Sequence, residues 1–258
     1  MPQAPQPEPY VKHASPSTPP HYFPVEAAGL RWLAAAPDGA AVVGVQAVDA
    51  TRIVLDRLDP VRPTPEAAES FGRALARTHA AGAAAFGAPP EGWSGDGFIG
   101  RQLLTLRPDD RWGTFYAEQR VLPYAREAHD VGHLSAAALA AVERVAERLR
   151  AGDFDDDRPP ARIHGDLWSG NVVFTADGVV MIDPAAHGGH GLTDLAMLHV
   201  FGVPGLDLIS DAYAEEARLE PGWRELVGLH QLHPLLVHAV SHGPAYGDEA
   251  ASVARRYR

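Results

Sequence analysis

The chain has 258 residues, no cysteine, a formal net charge of −11, and 46% hydrophobic and 21% charged residues. This composition is typical of a globular protein with a substantial core, and it excludes disulfides, thiolate zinc sites and a cysteine nucleophile. No apolar stretch approaches the ~18–20 residues that cross a membrane, and the negative charge argues against a nucleic-acid-binding surface. Because the N-terminus lacks the features of a secretory signal, we expect a cytoplasmic protein.

The first 60 residues predict a small unit of mixed helix and strand. Residues 1–9 alternate proline with polar residues, which predicts an extended or disordered tail, and residues 15–20 predict a loop. The expected elements are a helix over 25–35 that Glu26 opens, and strands over 41–48 and 52–58 with a turn near Asp49.

From residue 61 onwards the pattern is mostly helical. Thr64 as N-cap, with Pro65 at the first helical position, predicts a helix that ends at Gly82. The glycine-rich segment 83–111 is longer than a simple connection needs, which is typical of a functional loop. Asp177-Gly178 between two apolar runs predicts a hairpin. The hairpin strands are expected at 171–174 and 179–182, and further helices at 112–129, 135–150, 194–201, 206–217 and 223–240.

The strongest chemical pattern is Arg162-Ile-His-Gly-Asp-Leu-Trp-Ser-Gly-Asn171, followed by Asp183. Asp183 ends the second hairpin strand, twelve residues after Asn171, so their side chains should lie together. Amide and carboxylate oxygens are ligands that Mg²⁺ prefers. Asp166 should lie near them and could accept a proton from a substrate hydroxyl. The spacing His164-x-Asp166-x4-Asn171 matches the catalytic loop of kinases and therefore indicates phosphoryl transfer.

Two residue types occur only once in the chain. Of the 22 basic residues, Lys12 is the single lysine, which leaves 21 arginines, and Asn171 is the single asparagine. Lys12 lies in a strand-like tripeptide, and Glu26 follows fourteen residues later at the start of the predicted helix. Kinases use such a strand lysine on the ATP phosphates and hold it with a helix glutamate. The alternative is a composition bias that leaves Lys12 as a solvated charge.

The chain resembles the fructosamine kinase (ketosamine 3-kinase) family, within the aminoglycoside and choline kinase branch of the protein-kinase-like fold. The resemblance spans roughly residues 10 to 245 and implies an α+β, two-lobed fold. The N-lobe, residues 1–60, would be abbreviated, and the C-lobe, residues 61–258, would be mostly helical. The motifs that carry it are His164–Asn171, Asp183-Pro-Ala, Gly189-His190, Asp194-Leu-Ala, and the upstream segments 71–79, 92–100 and 112–123.

The resemblance implies ATP-dependent phosphorylation of a sugar hydroxyl on a ketosamine, either a fructosamine or a ribulosamine, free or protein-bound. Mg²⁺ and ATP are the implied cofactors, and the oligomeric state stays open. The implied roles are Asp166 as catalytic base, Asn171 and Asp183 as Mg²⁺ ligands, and Lys12 as phosphate anchor with Glu26 as its partner. We expect adenine near Asp56–Asp59, the acceptor between Trp168 and segment 92–100, and substrate contacts from Trp168, His164 and Trp93.

The sequence departs from the family pattern at two places. Only eleven residues precede Lys12, where the family carries two strands and a turn that cover the ATP phosphates. Gly191 and Leu192 stand where the family usually has Arg-Glu, which leaves local order near the metal loop open. The alternatives are therefore a truncated chain, weak ATP binding, a non-catalytic pseudokinase, or a phosphotransferase for another substrate such as an aminoglycoside. A minor reading is a zinc site of His164, His187 and His190.

Overall fold

The computed structural model describes residues 8–258, so most of the predicted N-terminal tail, residues 1–7, lies outside the described residues. In the described part, no helix is long and apolar enough to span a bilayer. The N-terminal elements are β1 (Tyr10–His13), α1 (Tyr22–Ala34), β2 (Ala41–Val42), β3 (Val45–Val48) and β4 (Arg52–Leu55).

These elements build a small antiparallel sheet in the order β1-β4-β3, with α1 packed against it. The buried face of α1 carries Phe23 and Leu30, which pack on Ile53 and Leu55 of β4. Lys12 pairs with Ile53 in register, so β1 forms one edge of the described sheet. The sheet thus fixes the position of the only lysine.

The N-terminal boundaries differ from the predicted ones. Helix α1 begins at Tyr22, so Glu26 lies in its second turn rather than at its start. Pro24 is tolerated there because the first-turn N–H groups have no intrahelical partner in any case. The single strand predicted over 41–48 is two strands: β3 pairs with β4, whereas β2 pairs in parallel with β9 (Gly178–Met181) of the C-terminal part. This pair connects the two halves of the molecule.

The C-terminal part is mostly helical, as predicted. Thr64 and Ser135 cap helices with their side chains, accepting from Ala67 N and Ala138 N, both at 3.2 Å. The last helix was not predicted. The helices are α2 (Pro65–Ala80), α3 (Trp112–Phe115), which continues through a π-helical turn (Tyr116–Val121) into α4 (Leu122–Asp130), α5 (Ala136–Ala151), α6 (Leu192–Phe201), α7 (Leu206–Glu216), α8 (Trp223–His242) and α9 (Pro244–Tyr257).

Three strand pairs lie among these helices, and only one was predicted. The predicted hairpin is β8 (Val172–Thr175) with β9 (Gly178–Met181). A second hairpin, β5 (Gly97–Ile99) with β6 (Gln102–Leu104), interrupts the segment predicted as irregular. A third pair, β7 (Ala161–Ile163) with β10 (His187–Gly189), brackets the catalytic-loop motif. Loop 164–171 follows β7 and loop 182–186 precedes β10, so this pair brings both loops to one place.

Candidate active site

The loop after β7 is held by a buried carboxylate. Asp194, in the first turn of α6, accepts hydrogen bonds from His164 N at 2.8 Å and Gly165 N at 2.9 Å. Its Oδ2 also accepts from His79 Nε2 at 3.0 Å. Burial opposes ionisation of Asp194, but the hydrogen bonds from the His79 ring and the His164 backbone outweigh it and hold its pKa below the ordinary value. The motif Asp194-Leu-Ala was noticed in the sequence, but this anchoring role was not predicted.

His164 positions the catalytic loop and does not reach a substrate. Its side chain is fully buried, its Nε2 donates to Ile182 O at 2.8 Å, and its Nδ1 accepts from Asp166 N at 3.2 Å. Both ring nitrogens are therefore occupied within the protein. The predicted substrate contact at His164 is wrong, because the loop turns this ring inward to join it to the hairpin end.

Asp166, Asn171 and Asp183 come together in the structure. Asn171 Nδ2 donates to Asp166 O at 2.8 Å, to Asp166 Oδ2 at 3.2 Å and to Asp183 O at 3.4 Å. Ile182 N also donates to Asn171 O at 3.1 Å, which extends the hairpin ladder to the site. Since its amide nitrogen serves three acceptors, the side-chain oxygen of Asn171 is left for another ligand.

Asp166 lies in a setting that disfavours its charged form. Burial is the main cause, and the negative charges of Asp183 and Asp194 add to it, against the hydrogen bond from Asn171. Together these effects raise the pKa of Asp166 to about 7. A carboxylate with such a pKa can both accept and release a proton near neutral pH.

The single lysine joins this cluster from the N-terminal sheet. Lys12 Nζ donates to Glu26 Oε1 at 2.7 Å and also contacts Asp183 Oδ1. Its side chain is 20% exposed and that of Glu26 is 6% exposed, so the pair is largely shielded from water. Burial alone would lower the pKa of Lys12, but the charges of Glu26 and Asp183 raise it, so Lys12 stays cationic. The only lysine and only asparagine of the chain thus lie on either side of Asp183.

Three adjoining cavities surround this cluster. The hinge cavity, of about 200 Å³, lies between β1, β4 and the hairpin β8–β9. The central cavity, of about 220 Å³, shares Asp183 with it and contains Asn171. The aromatic cavity, of about 560 Å³, shares Gly100, Asp166 and Trp168 with the central one. The cluster therefore lies at the boundaries between the three cavities. Asp183 lies between the hinge and central cavities, and Asp166 lies between the central and aromatic cavities.

The hinge cavity has mostly apolar walls. Among the described residues, neither the backbone N–H of Leu58 nor the carbonyl of Asp56 has a hydrogen-bond partner. The cavity is thus an apolar slot with free backbone groups at its edge. Its lining residues are Tyr10, Lys12, Val43, Leu55, Asp56, Arg57, Leu58, Pro60, Val173, Ile182 and Asp183.

Of the two tryptophans predicted to contact the substrate, Trp168 lines the cavities and Trp93 does not. Trp168 is 40% exposed, lines two of the cavities and meets the ring of Phe201 edge-on at 6.1 Å. Trp93 is absent from the described linings of all three cavities, and its indole N–H donates to Asp96 O at 3.1 Å. The structure thus gives Trp93 a role in ordering its own loop, in contrast to the predicted substrate contact.

The zinc reading is wrong for the described residues, in which no three His, Cys, Asp or Glu side chains lie together so as to hold a metal ion. His187 is buried, and its Nδ1 donates to Ala185 O at 2.7 Å. Its other nitrogen accepts from Arg120 Nε at 3.3 Å. The His-Gly-Gly-His segment is therefore a strand packed into the core.

The substitution of the family's Arg-Glu pair has a steric basis. A Cβ atom on Gly191 would lie 2.3 Å from Tyr213 Oη and 2.7 Å from His79 Nδ1. Tyr213 donates to His79 Nδ1 at 2.7 Å, and His79 in turn donates to Asp194. Leu192 is buried in the core. The local order that the sequence left open thus comes from a Tyr213–His79–Asp194 chain of hydrogen bonds, which needs glycine at 191.

The chain matches the sequence profile of the family described as fructosamine kinase over residues 5–257. It is 32% identical over 209 residues to a probable ketoamine kinase of Synechocystis, which covers 79% of this chain and 66% of that protein. It spans between 58% and 66% of the length of the first curated relatives.

Solved structures agree with this match. A crystal structure of a candidate fructosamine-3-kinase from Thermobifida fusca has 47% identity and a TM-score of 0.88, covering 96% of this chain and 84% of that one. An aminoglycoside phosphotransferase, at 16% identity, shares the fold with a TM-score of 0.59 over 96% of this chain and 84% of its own. The predicted protein-kinase-like α+β fold is confirmed, and the chain belongs to the fructosamine kinase family.

Proposed function

We propose that this protein is an ATP-dependent kinase that phosphorylates a sugar hydroxyl of a ketosamine. The observation that carries the proposal is the convergence of Lys12, Asp166, Asn171 and Asp183 at the junction of three connected cavities. Membership of the fructosamine kinase family supports the acceptor class. The cytoplasmic location rests on the need for ATP and stays a prediction, as does the division into lobes at residue 60.

The hinge cavity suits the adenine of ATP. An adenine ring could lie between Val43 and Ile182, with its hydrogen-bonding edge towards the free backbone groups of Asp56 and Leu58. The phosphates would then extend past Lys12 towards Asp183. This orientation agrees with the expected position of adenine near residues 56–59.

The donor set fits a magnesium ion. Asn171 has a free amide oxygen, and Asp183 has a carboxylate at the boundary of the hinge and central cavities. Both are hard oxygen ligands of the kind that Mg²⁺ takes with phosphate oxygens and water. When bound, the ion would offset the negative charge of the phosphates. Lys12 would add a fixed positive charge beside them, held by Glu26.

Asp166 would act as the base. It lines both the central and the aromatic cavity, so it meets an acceptor hydroxyl that enters from the aromatic side. The hydroxyl oxygen forms a bond to the γ-phosphorus while the bond to the β-phosphate oxygen breaks, and the hydroxyl proton passes to Asp166. Its raised pKa makes it a stronger base than an ordinary aspartate. Most of the rate enhancement would come from positioning and charge.

The charge of the aromatic cavity, where the acceptor would bind, disfavours an aminoglycoside as the substrate. An acceptor with several ammonium groups needs several carboxylates, because unpaired charges lose their hydration on binding. Within residues 8–258, the aromatic cavity is lined by one carboxylate only, Asp166. A singly charged sugar amine matches this lining better.

The test is ADP release by the purified chain with Mg-ATP and a small fructosamine, compared with Asp166→Asn. We expect turnover in the parent and a loss of at least about 100-fold in the variant, in line with removal of a general base. Asp177→Asn, at the exposed tip of the β8–β9 hairpin, is the matched control and should keep full activity. Magnesium-dependent nucleotide binding without turnover on any ketosamine would instead support the pseudokinase alternative.

A further inference from the structure

The aromatic cavity has a feature that phosphoryl transfer itself does not require. Arg101 is its only permanently cationic lining side chain among residues 8–258. It occupies the two-residue turn Gly100-Arg101 between β5 and β6. Within residues 8–258 the Arg101 side chain has no hydrogen bond or ion pair, although the chain carries a net charge of −11. An unpaired arginine in a cavity beside the candidate base is available to a ligand.

The turn that carries Arg101 is fixed in place. The neighbouring Gln102 donates from Nε2 to Val237 O of α8 at 3.1 Å. On the next residue, Leu103 O accepts from Tyr124 Oη of α4 at 2.8 Å. The hairpin is therefore fastened to two helices, and Arg101 is presented on a defined wall of the cavity rather than on a free loop.

Much of the remaining lining is aromatic. The rings of Phe201 and His238 lie 4.7 Å apart, and His238 stacks on His242 at 5.0 Å. The lining also contains Trp168 and Tyr246. Such rings favour the C–H faces of a sugar and a flat organic substituent. A volume of about 560 Å³ is within the range of small-molecule sites.

The histidines of this wall present acceptors. His238 Nδ1 donates to Pro234 O at 2.7 Å, and burial lowers its pKa, so the ring is neutral with Nε2 as an acceptor. His242 Nδ1 lies 2.9 Å from Ser241 Oγ, whose hydroxyl donates to Val237 O at 3.0 Å. The His242 ring nitrogen Nδ1 is therefore the donor in this contact. Such acceptors suit sugar hydroxyls and the N–H groups of an amine.

The Arg101 cation and the histidine acceptors together suit a zwitterionic ligand, which carries both a carboxylate and a protonated amine. A ketosamine formed on the α-amine of a free amino acid carries a cationic nitrogen with a carboxylate two bonds away. One formed on a lysine side chain of a protein carries no carboxylate near the nitrogen. Arginine binds carboxylates with two parallel hydrogen bonds, whereas a neutral group gains nothing comparable.

We propose that the acceptor is a ketosamine of a free α-amino acid and that Arg101 selects it by binding its carboxylate. This inference rests on the proposed kinase function. The sugar would lie between Asp166 and Trp168, and the amino-acid part would lie against α8 and the β5–β6 turn. Arg101 is thus a specificity-determining residue, distinct from the groups that contact ATP.

The experiment compares kcat/KM for α-N-fructosylglycine and α-N-fructosylglycinamide, in which a neutral amide of similar size replaces the carboxylate. We expect about a fivefold preference for the carboxylate in the parent chain, as for one charge-assisted pair at the exposed Arg101 side chain. Arg101→Gln should abolish the preference by lowering only the carboxylate substrate, and Arg101→Lys should retain part of it. Arg126→Gln, an exposed arginine of α4, is the matched control and should leave the preference intact.

The outcomes separate the two proposals. Equal turnover of both compounds by the parent, or an equal loss on both in Arg101→Gln, would overturn the role of Arg101 while leaving the ketosamine kinase standing. A preference for a ketosamine on the side chain of an Nα-acetyl-lysine amide would also overturn it. Failure to turn over any ketosamine would overturn the proposed function and this inference with it.

Discussion

Adding a single methyl group at Gly191 should disturb loop 164–171 through the buried residues that support it. In Gly191→Ala the new Cβ would lie 2.3 Å from Tyr213 Oη and 2.7 Å from His79 Nδ1, both far inside van der Waals contact. Tyr213 and His79 are 3% and 5% exposed, so neither can swing out into solvent. Overpacking of this kind costs about 1–3 kcal/mol. We expect a loss near 2 kcal/mol, or a melting temperature lower by about 4–8 °C.

The same strain should reach the active site through hydrogen bonds. His79 donates to Asp194, and Asp194 holds the backbone of His164 and Gly165 ahead of Asp166. A displaced His79 should therefore lower kcat more than it changes KM for ATP, because the proposed nucleotide contacts lie in the hinge cavity, which Asp166 does not line. Steady-state kinetics of Gly191→Ala at a temperature well below its melting point measures this separation.

A double variant tests whether the clash with the Tyr213 hydroxyl causes the loss of stability in Gly191→Ala. Tyr213→Phe removes the hydroxyl that the new methyl meets and should by itself cost about 1 kcal/mol for its hydrogen bond to His79. In Gly191→Ala/Tyr213→Phe the loss should be smaller than the sum of the single losses by about 1 kcal/mol, as for residues in direct contact. Strict additivity, or a Gly191→Ala variant within about 0.5 kcal/mol of the parent, would refute the steric reasoning.

Four further variants test other parts of the site. Lys12→Met should raise KM for ATP about 10- to 100-fold, as for a charged hydrogen bond to phosphate, while Glu26→Gln should have a smaller effect; unchanged KM would contradict the anchor role. Trp168→Ala should raise KM for the ketosamine and leave KM for ATP unchanged. The depressed pKa of Asp194 means that its contribution to stability is fully present above the ordinary carboxyl pKa and is lost as the pH falls from there through the lower pKa of the folded state. Denaturant unfolding of the parent should therefore weaken below about pH 4 more steeply than that of Asp194→Asn.

The part of the site that could be predicted is the part encoded by short spacing. Twelve residues and a hairpin bring Asn171 to Asp183, and this follows from strand geometry alone. The helix caps at Thr64 and Ser135 are likewise local, because a side chain bonds to a backbone N–H three residues on. The proximity of Asn171 to Asp183 and the starts of these two helices could therefore be predicted from the sequence.

The missed features depend on partners far apart in the chain. Strand β7 exists because His187–Gly189 pairs with it, and β2 because β9 lies beside it; three- and two-residue strands have no periodicity of their own. His164 was predicted as a substrate contact because sequence gives no direction to its ring, which Ile182 and Asp166 occupy. The anchoring by Asp194 depends on His79, which lies 115 residues away in sequence.

Three aspartates of the candidate site differ in environment, and this difference supports the separate roles proposed for them. Asp194 is buried with both oxygens accepting hydrogen bonds and its pKa is lowered, so it has no site left for a substrate proton. Asp183 contacts Lys12 Nζ at the boundary of the hinge and central cavities, where it would face the phosphates of the proposed nucleotide. Asp166 alone faces the acceptor cavity with a pKa raised to about 7. Since a base must be poised near the working pH and within reach of the acceptor, the environments favour Asp166 over the other two as the proton acceptor of the proposed reaction.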